Sequence, residues 1–427
     1  MDTVVAVLPV GELDTDQVRS EFEAMLSAIR GLGGELNVAE PAVDEASAEQ
    51  AARELSRKKP DLLAVLPQRG LSAQAIEAAC LPGGLPCVIL PAQGRYALPS
   101  SALAVGALGQ AGVPVELLYA PAGQPEFMAR LGCILRSARA YTRIKRSRIG
   151  VIGGLFPNLV ACQYDAVALT GKLGTALLPI PFQELRQAVQ AIAQEAGGVG
   201  EARQVILSSY SVAESDRGAL EAGAGLHVAL KQIAREQTID GFATECWSGF
   251  PREIGLNPCL GFIEDAYTLA CEGDVLLCVS LLISRYLTGM PAYGGDLYDL
   301  NLDGLLTLIH CGGPASLATN KNDVVLGRSR LAMERGFETL TCRPRLEKGP
   351  VTVFRLYGPG GDQLHLSSGE LLGSEQSPNL AVKIKIAGDR WEFLEHCTGN
   401  HYVVADGDLR PELRLLSKWL GITLIET

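Results

Sequence analysis

Residues 148–154 have the sequence RIGVIGG, and this stretch decides the fold. Its apolar centre follows a polar connector and ends at two glycines, a pattern that predicts a buried strand before a tight turn. On both sides of it, strand-like apolar runs alternate with segments of helical spacing. Such alternation predicts a parallel sheet covered by helices.

The alternation occurs twice along the chain. Residues 1–145 open with the apolar run Thr3–Pro9, and residues 146–290 include strand-like runs at Val205–Ser208 and Tyr267–Ala270. Each series contains several strands with helical segments between them, as in doubly wound sheets. The sequence therefore predicts two Rossmann-like α/β domains, one over each of these ranges.

The sequence pattern changes after about residue 290. Strand-like runs such as Leu305–His310, Val351–Leu356 and Ala381–Ile386 lie between turns rich in Gly, Pro and Ser. Long helical periods are mostly absent until Pro411–Leu420. Residues 291–427 are therefore predicted to form a β-rich, barrel-like C-terminal domain.

Composition excludes several classes of protein. Of the 427 residues, 47% are hydrophobic and 20% are charged, so a large core is expected. The formal net charge of −11, without a long basic block, argues against a nucleic-acid partner because phosphates need clustered Lys and Arg. We expect no membrane span and no signal peptide. The 11 cysteines form no C-x-x-C pair, which favours reduced thiols and a cytoplasmic protein.

Two acids follow strand-like runs in the second half of the chain. Glu272 comes directly after Tyr267–Ala270 and Cys271, and Asp296 ends another short extended run. Ligand sites of open α/β sheets gather at the carboxyl ends of strands, so these acids are candidates for a site. The alternative is that Glu272 and Asp274 only stabilise the start of the next helix, and Asp274 in particular is expected to be its cap.

Histidines could complete a site with these acids. His401 lies in a polar turn before a strand, and His310 ends an apolar strand, where an edge-of-core role is equally open. Two carboxylates with one or two imidazoles favour Mn²⁺, Mg²⁺ or Co²⁺ over a structural zinc. Such a metal can polarise a carbonyl while a carboxylate removes the proton from the adjacent carbon.

Other motifs have less support. The glycines at 153–154 do not complete a G-x-G-x-x-G motif, and neither a P-loop nor a G-x-S-x-G elbow is present. A nicotinamide cofactor or a nucleoside triphosphate is therefore not expected. Trp247 follows a predicted strand, where its ring could stack on a sugar or simply pack at the rim of the sheet.

Five short runs carry a resemblance to a known family: ACEGDV (270–275), GMPA (289–292) with the Asp296 that follows, HCG (310–312), GPVTVFR (349–355) and GNHY (399–402). Together they resemble the L-fucose/L-arabinose isomerase superfamily, over roughly residues 146–410. The resemblance implies two Rossmann-like domains and a β-rich C-terminal domain. It also implies a metal-dependent aldose–ketose isomerase that works by proton transfer through a cis-enediol.

The resemblance also assigns residues. It places the metal, most often Mn²⁺, on Glu272, Asp296 and His401, with the two acids as the proton-transfer pair and His310 as a further candidate ligand. Trp247, Asn400 and Arg355 are candidates for substrate binding. A homo-oligomer, trimer or hexamer, is implied, in which the N-terminal domain of a neighbour completes the site.

Several alternatives remain open at this stage. The scaffold also suits a non-catalytic sugar-binding or regulatory protein, and the same chemistry suits a metal-dependent epimerase or aldolase. The sequence does not identify the sugar: fucose, arabinose, a C6-modified hexose such as sulfoquinovose, and a phosphorylated sugar are all compatible with it.

Overall fold

The computed structural model describes residues 2–70, 73–194, 197–328, 333–334, 339–377 and 379–427. The chain divides into two compact units. One consists of Met1–Arg143 with Pro411–Leu420, and the other of Ile144–Arg410 with Gly421–Thr427. The three-domain division expected from the sequence, with boundaries near residues 145 and 290, stays a prediction.

The first unit contains a five-stranded parallel sheet. Its strands are β1 (Thr3–Val10), β2 (Gly34–Val38), β3 (Leu62–Pro67), β4 (Cys87–Ile89) and β5 (Val115–Leu117), in the order β2-β1-β3-β4-β5. Its helices are α1 (Asp16–Gly31), α2 (Glu45–Ser56), α3 (Ala73–Cys80), α4 (Ala97–Gln110) and α5 (Pro125–Arg146). Strands β3 and β4 are buried along their whole length, as expected for a sheet covered on both faces.

The second unit begins with a four-stranded parallel sheet. Its strands are β6 (Arg148–Ile152), β7 (Ala176–Ile180), β8 (Gly241–Thr244) and β9 (Thr268–Ala270), in the order β7-β6-β8-β9. Its helices are α6 (Ala166–Leu173), α7 (Phe182–Gln194), α8 (Gly198–Ser209), α9 (Arg217–Glu236), α10 (Gly249–Glu253) and α11 (Val275–Thr288). The opening stretch forms β6, so the prediction of a strand there is confirmed, as is the prediction of parallel α/β sheets.

One element of this unit was predicted wrongly. Val205–Ser208 lies inside helix α8 and not in a strand. A short apolar run with a β-branched start fits a buried helix as well as a strand, because periodicity cannot separate the two over so few residues.

The rest of the second unit is dominated by a closed antiparallel barrel. Its six strands are β10 (Tyr293–Leu300), β11 (Leu305–His310), β14 (Gly349–Tyr357), β15 (Gln363–Glu375), β16 (Leu380–Ile386) and β17 (His401–Asp406). They run in the order β14-β17-β10-β11-β16-β15, and the pairing of β14 with β15 closes the ring. The prediction of a β-rich, barrel-like region after about residue 290 is thereby confirmed.

Smaller elements accompany the barrel. Strands β12 (Val324–Arg328) and β13 (Leu340–Pro344) form a separate hairpin-like pair, and β18 (Thr423–Glu426) adds to β15 in parallel. Two further helices follow the barrel strands, α12 (Arg390–Glu395) and α13 (Arg410–Leu420). Among the described helices, none combines the length and the apolarity that crossing a bilayer requires.

Strand pairing brings together residues that are far apart in sequence. In the antiparallel register, Asp296 of β10 lies opposite His401 of β17 on one side and opposite Ile309 of β11 on the other. His310 therefore lies one position along β11 from the residue that is opposite Asp296. Helix α11, which begins just after β9 and is buried over most of its length, packs against both β14 and β17. The loop that carries Glu272 is thus placed beside these barrel strands.

Candidate metal centre

The structure places Glu272 and Asp296, two of the predicted ligands, each within 4 Å of the third, His401. The Nε2 atom of His401 lies 3.8 Å from a carboxylate oxygen of Glu272 and 3.4 Å from one of Asp296. His401 is fully buried, and the two acids line a cavity of about 210 Å³. One imidazole nitrogen therefore faces two carboxylates at the wall of a cavity.

His310 joins this group. Nitrogen atoms of His310 and His401 and a carboxylate oxygen of Asp296 all lie within 4.8 Å of one another, close enough to share one ion. On its other side, His310 Nδ1 lies 4.0 Å from the Sγ atom of Cys271. Asp296, His310 and His401 form this close group, and Glu272 adds a second carboxylate 3.8 Å from His401 Nε2. Two carboxylates and two imidazoles are a donor set that suits a divalent cation such as Mn²⁺.

Asp274 has a second role that the sequence did not reveal. It is the predicted helix cap, since one of its oxygens accepts a hydrogen bond from Leu277 N at 2.9 Å. Its other oxygen lies 2.9 Å from Nδ1 of His401. A carboxylate on one imidazole nitrogen fixes the tautomer and aims the other nitrogen at a metal. Asp274 therefore orients the candidate ligand as well as capping α11.

Arg355 lies on the Asp274 side of His401. Its guanidinium donates hydrogen bonds to the His401 carbonyl at 2.7 Å, to Cys162 Sγ at 3.1 Å and to Asp274 at 3.3 Å. Its side chain is only 1% exposed. The substrate-binding role suggested for Arg355 stays a prediction, whereas these bonds give it a place in the support of His401 and Asp274.

The other two substrate-binding candidates lie closer to the cavity. Asn400 donates a hydrogen bond to Asp296 at 2.6 Å, which fixes the orientation of that carboxylate. Trp247 lines the cavity, and its ring packs at 5.5 Å from that of Phe156. Contact of either residue with a substrate is untested.

The backbone of Glu272 is held in an unusual conformation. Its φ angle is +58°, in the left-handed region that costs a non-glycine residue about 1–3 kcal/mol. Phe156 N donates to the Glu272 carbonyl at 2.9 Å, and Glu272 N donates to Cys246 Sγ at 3.3 Å. The adjacent Gly273 also has a positive φ, and a Cβ there would meet the Gly154 carbonyl oxygen at 1.8 Å. Only glycine fits this position, so the loop is built to hold Glu272 in one place.

Electrostatics separate the roles of the two acids on the Glu272 loop. Burial raises the pKa of Glu272 above its usual range, and the nearby His401 only partly offsets that effect. Burial also acts to raise the pKa of Asp274, but Arg355 and His401 outweigh it and hold that pKa well below its usual range. Glu272 therefore accepts a proton more readily than an ordinary carboxylate, while Asp274 remains an anion.

The imidazoles are affected in opposite ways. Burial lowers the pKa of His310. Burial also acts to lower the pKa of His401, but the hydrogen bond to Asp274 and the surrounding acids raise it to about 10. Without a cation, this pKa makes His401 an imidazolium, and a metal bound at Nε2 would take the place of that proton.

The residues fit a divalent cation. The Nε2 atom of His401 is buried and has no hydrogen-bond partner among the described residues. A buried polar atom without a partner is costly, and two carboxylates stand beside this one. A cation bound by these groups would satisfy the nitrogen and neutralise the acids.

Three curated isomerases are similar to this chain. No family model matches the chain. Sulfoquinovose isomerases of Priestia aryabhattai and of Priestia megaterium (strain ATCC 12872 / QMB1551) are each 26% identical to it over 321 residues, covering 70% of this chain and 69% of theirs. A sulfoquinovose isomerase of Clostridium sp. (strain MSTE9) is 25% identical over 322 residues, with 70% of each chain covered.

The chain is a sugar isomerase. The prediction of an enzyme, an aldose–ketose isomerase, is confirmed by these relatives. Membership of the L-fucose/L-arabinose isomerase superfamily stays a prediction, as do the metal and the individual site residues.

Proposed function

We propose that this isomerase depends on a divalent metal and interconverts an aldose and a ketose through a cis-enediol. The observation that carries the proposal is the buried Nε2 atom of His401, which has no hydrogen-bond partner among the described residues and faces Glu272 and Asp296. A buried imidazole nitrogen that two carboxylates flank without a hydrogen bond is an arrangement that a bound cation would complete.

Glu272, Asp296 and His401 would hold the metal, with His310 as a further ligand. Mn²⁺ suits this mixture of carboxylates and imidazoles best, and Mg²⁺ or Co²⁺ is compatible with it. When bound, the cation supplies polarisation of the sugar carbonyl, which acidifies the proton on the neighbouring carbon.

Glu272 is the proposed base for the carbon acid. Its carboxylate lines the cavity, where it can reach an aldose bound beside the metal. Its carboxylate takes the proton from C2 of the aldose and returns it to C1 of the enediol. Asp296, held by Asn400, moves the second proton between the oxygens on C2 and C1. The proton balance then closes, and the ketose leaves with the same formula as the aldose.

The names of the relatives suggest a substrate. All three are sulfoquinovose isomerases, so a hexose with a sulfonate on C6 is the first aldose to test. We further propose a homo-oligomer, trimer or hexamer, in which residues 1–145 of a neighbouring copy complete the site. The family resemblance of the sequence supports this assembly.

The test is an aldose panel assayed with added Mn²⁺, for the wild type and for Glu272→Gln. We expect the wild type to convert at least one aldose to its ketose and Glu272→Gln to lose at least about 1,000-fold in kcat, because the base is gone. Glu347→Gln, at an exposed acid outside the site, is the matched control and should behave like the wild type.

Product analysis separates the rival chemistries. Solvent deuterium at C1 of a ketose product supports proton transfer through the enediol, and its absence indicates a hydride shift. Cleavage products or an inverted aldose would instead identify an aldolase or an epimerase. Wild-type-like turnover by a folded Glu272→Gln protein would remove Glu272 from the mechanism.

A further inference from the structure

Asn257 lies in the wall of the same cavity as Glu272 and Asp296. It precedes Pro258 at the start of a short 3-10 helix over Pro258–Ile263, but its side chain makes no capping hydrogen bond. Its backbone N–H donates to Thr339 Oγ1 at 2.8 Å, which fixes the position of the residue. The backbone of Asn257 is thus anchored while its carboxamide has no part in the local helix.

The carboxamide oxygen of Asn257 is left unsatisfied. Oδ1 is buried and has no hydrogen-bond partner in the described part of the chain. Buried polar atoms nearly always have a partner, so an unpaired oxygen on a residue that lines a cavity indicates a carboxamide that turns to meet a bound molecule. The unpaired atom is the oxygen, which accepts and does not donate, so its partner carries an O–H or N–H.

The other residues of the cavity further restrict which chemical group could bind Oδ1 of Asn257. Under the proposed function, Glu272, Asp296 and His310 act at the reacting end of an aldose, which leaves its remaining hydroxyls to other residues of the cavity. Trp247 adds an aromatic side chain to the wall. A neutral amide recognises a hydroxyl without adding a third negative charge to a cavity that already holds two carboxylates.

We propose that Asn257 is a specificity-determining residue, whose Oδ1 accepts a hydrogen bond from a sugar hydroxyl that takes no part in the isomerisation. This inference rests on the proposed sugar isomerase function of the same cavity. A site built to pair with a substrate hydroxyl rejects the analogue that lacks it, because the buried acceptor is then left alone. Asn257 therefore selects among aldoses and does not act on C1 or C2.

The experiment measures kcat and KM of the metal-loaded, full-length enzyme on its best aldose and on deoxy analogues that each lack one remote hydroxyl. For the wild type, we expect one analogue to lose about 10- to 100-fold in kcat/KM. Asn257→Ala should raise KM for the full aldose by a similar factor and leave kcat within about threefold. Asn257→Ala should also have about the same kcat/KM for that analogue as for the full aldose.

Two variants separate recognition from a structural role. Asn257→Asp keeps an acceptor oxygen but adds a third negative charge to the cavity. It should therefore restore part of the discrimination on uncharged aldoses and weaken the binding of any aldose that carries an anionic group. Asn322→Ala, at an exposed asparagine, should match the wild type in every assay. Metal content and thermal midpoint of each variant show that the fold is retained.

The outcomes distinguish this inference from the proposed function. An active wild type whose analogue selectivity is unchanged in Asn257→Ala overturns the role of Asn257 and leaves the isomerase intact. A fall in kcat at constant KM also overturns it, because that result places Asn257 in the chemistry. A wild type that converts no aldose overturns both.

Discussion

The two parallel sheets of this chain are wound alike but differ at their carboxyl edges. In both, the first strand lies between the second and the third, in the orders β2-β1-β3-β4-β5 and β7-β6-β8-β9. In the first sheet, β1 is followed by Gly11-Glu12 and β3 by Gln68-Arg69, and Arg69 forms ion pairs with Glu12 at 3.4 Å and with Asp14 at 2.7 Å. In the second sheet, β8 is followed by Glu245 and β9 by Cys271-Glu272. The shared winding provides an edge where a site can form, and the two edges differ in how their acids are held.

The two acids on the second edge also differ from each other. The carboxylate of Glu245 accepts hydrogen bonds from Ser248 N and Ser248 Oγ, both at 3.0 Å, and from Gly249 N. These bonds tie it to the start of α10. Glu272 has its backbone fixed but its carboxylate directed toward His401. An acid at a strand end is therefore a catalytic candidate only where the protein leaves its oxygens unused.

The largest expected effect comes from removing the charge beside His401. Asp274→Asn leaves Arg355 buried without its anion, and breaking a buried ion pair typically costs about 3–5 kcal/mol. The buried acid of the first unit, Asp61, offers the comparison. It binds Val4 N at 3.0 Å and Thr142 Oγ1 at 2.9 Å, while its charged neighbour Arg143 is 3.7 Å away and 27% exposed.

Asp61→Asn should therefore lower the free energy of unfolding by less than Asp274→Asn does, by about 1.5–3 kcal/mol. Urea unfolding of the metal-free proteins measures both free energies. Equal losses for the two variants would contradict the claim that the acid of the second unit is part of a buried charge network. In the Asp274→Asn protein that remains folded, Mn²⁺ affinity should also fall by about 10- to 100-fold, because His401 is no longer oriented.

The next effect tests the close approach at the Glu272 loop. Gly273→Ala places a Cβ against the Gly154 carbonyl and forces alanine into a positive φ. In the first unit, Gly33 has a similar φ of +80° but nothing within 4 Å of a Cβ. Gly273→Ala should thus cost about 1–3 kcal/mol more unfolding free energy than Gly33→Ala, the difference being the steric clash.

Gly273→Ala and Gly33→Ala should also differ in catalytic activity. Only Gly273→Ala displaces Glu272, so it alone should lower kcat, by at least about 100-fold. Initial rates at saturating aldose provide the measurement. An active Gly273→Ala protein would show that the loop tolerates movement and that the backbone of Glu272 need not be fixed.

The smallest expected effect is on the stability contributed by Glu264, an acid of the second unit outside the candidate metal centre. The neighbouring His227, 3.7 Å away, and Lys231 lower the pKa of Glu264 to about 2, against the effect of burial. Because its folded-state pKa is depressed, the stabilisation is present above about pH 4.5 and is lost as the pH falls towards 2. Solvent screening at this 41% exposed side chain reduces it to about 1 kcal/mol.

Glu264→Gln should therefore be less stable than the wild type by about 1 kcal/mol at pH 7 and equally stable near pH 2. Unfolding curves recorded between these pH values check the expectation. A difference that persists unchanged at pH 2 would show that packing, and not charge, stabilises this position.

Much of this architecture could be predicted from residue patterns. The alternation around residues 148–154 indicates parallel sheets, and the Gly- and Pro-rich turns after residue 290 indicate the barrel. Glu272 and Asp296 were singled out by strand-end position, and His401 with them by family resemblance. The strand-end prediction is wrong for Asp296, which lies inside β10, but strand register explains how Asp296 and His401 meet. These features are local, or follow from the order of the strands.

Other features could not be predicted because they depend on burial in three dimensions. The cap Asp274 and the cation Arg355 meet across 81 positions, which no sequence period encodes. The same holds for Asn257, whose unsatisfied oxygen is a property of the cavity and not of the Leu-Asn-Pro context. The misassigned strand at Val205–Ser208 has the opposite cause, since a short apolar run was given a structure that its length cannot specify.

The central claim is that Glu272, Asp296 and His401 hold the catalytic metal. Anomalous diffraction from crystals grown with Mn²⁺, recorded at the manganese absorption edge, tests it most directly. The expected result is one strong peak per chain, about 2 Å from His401 Nε2 and from the Glu272 and Asp296 carboxylates. A peak elsewhere in the chain, or no peak in crystals of protein that is active with Mn²⁺, would contradict the account.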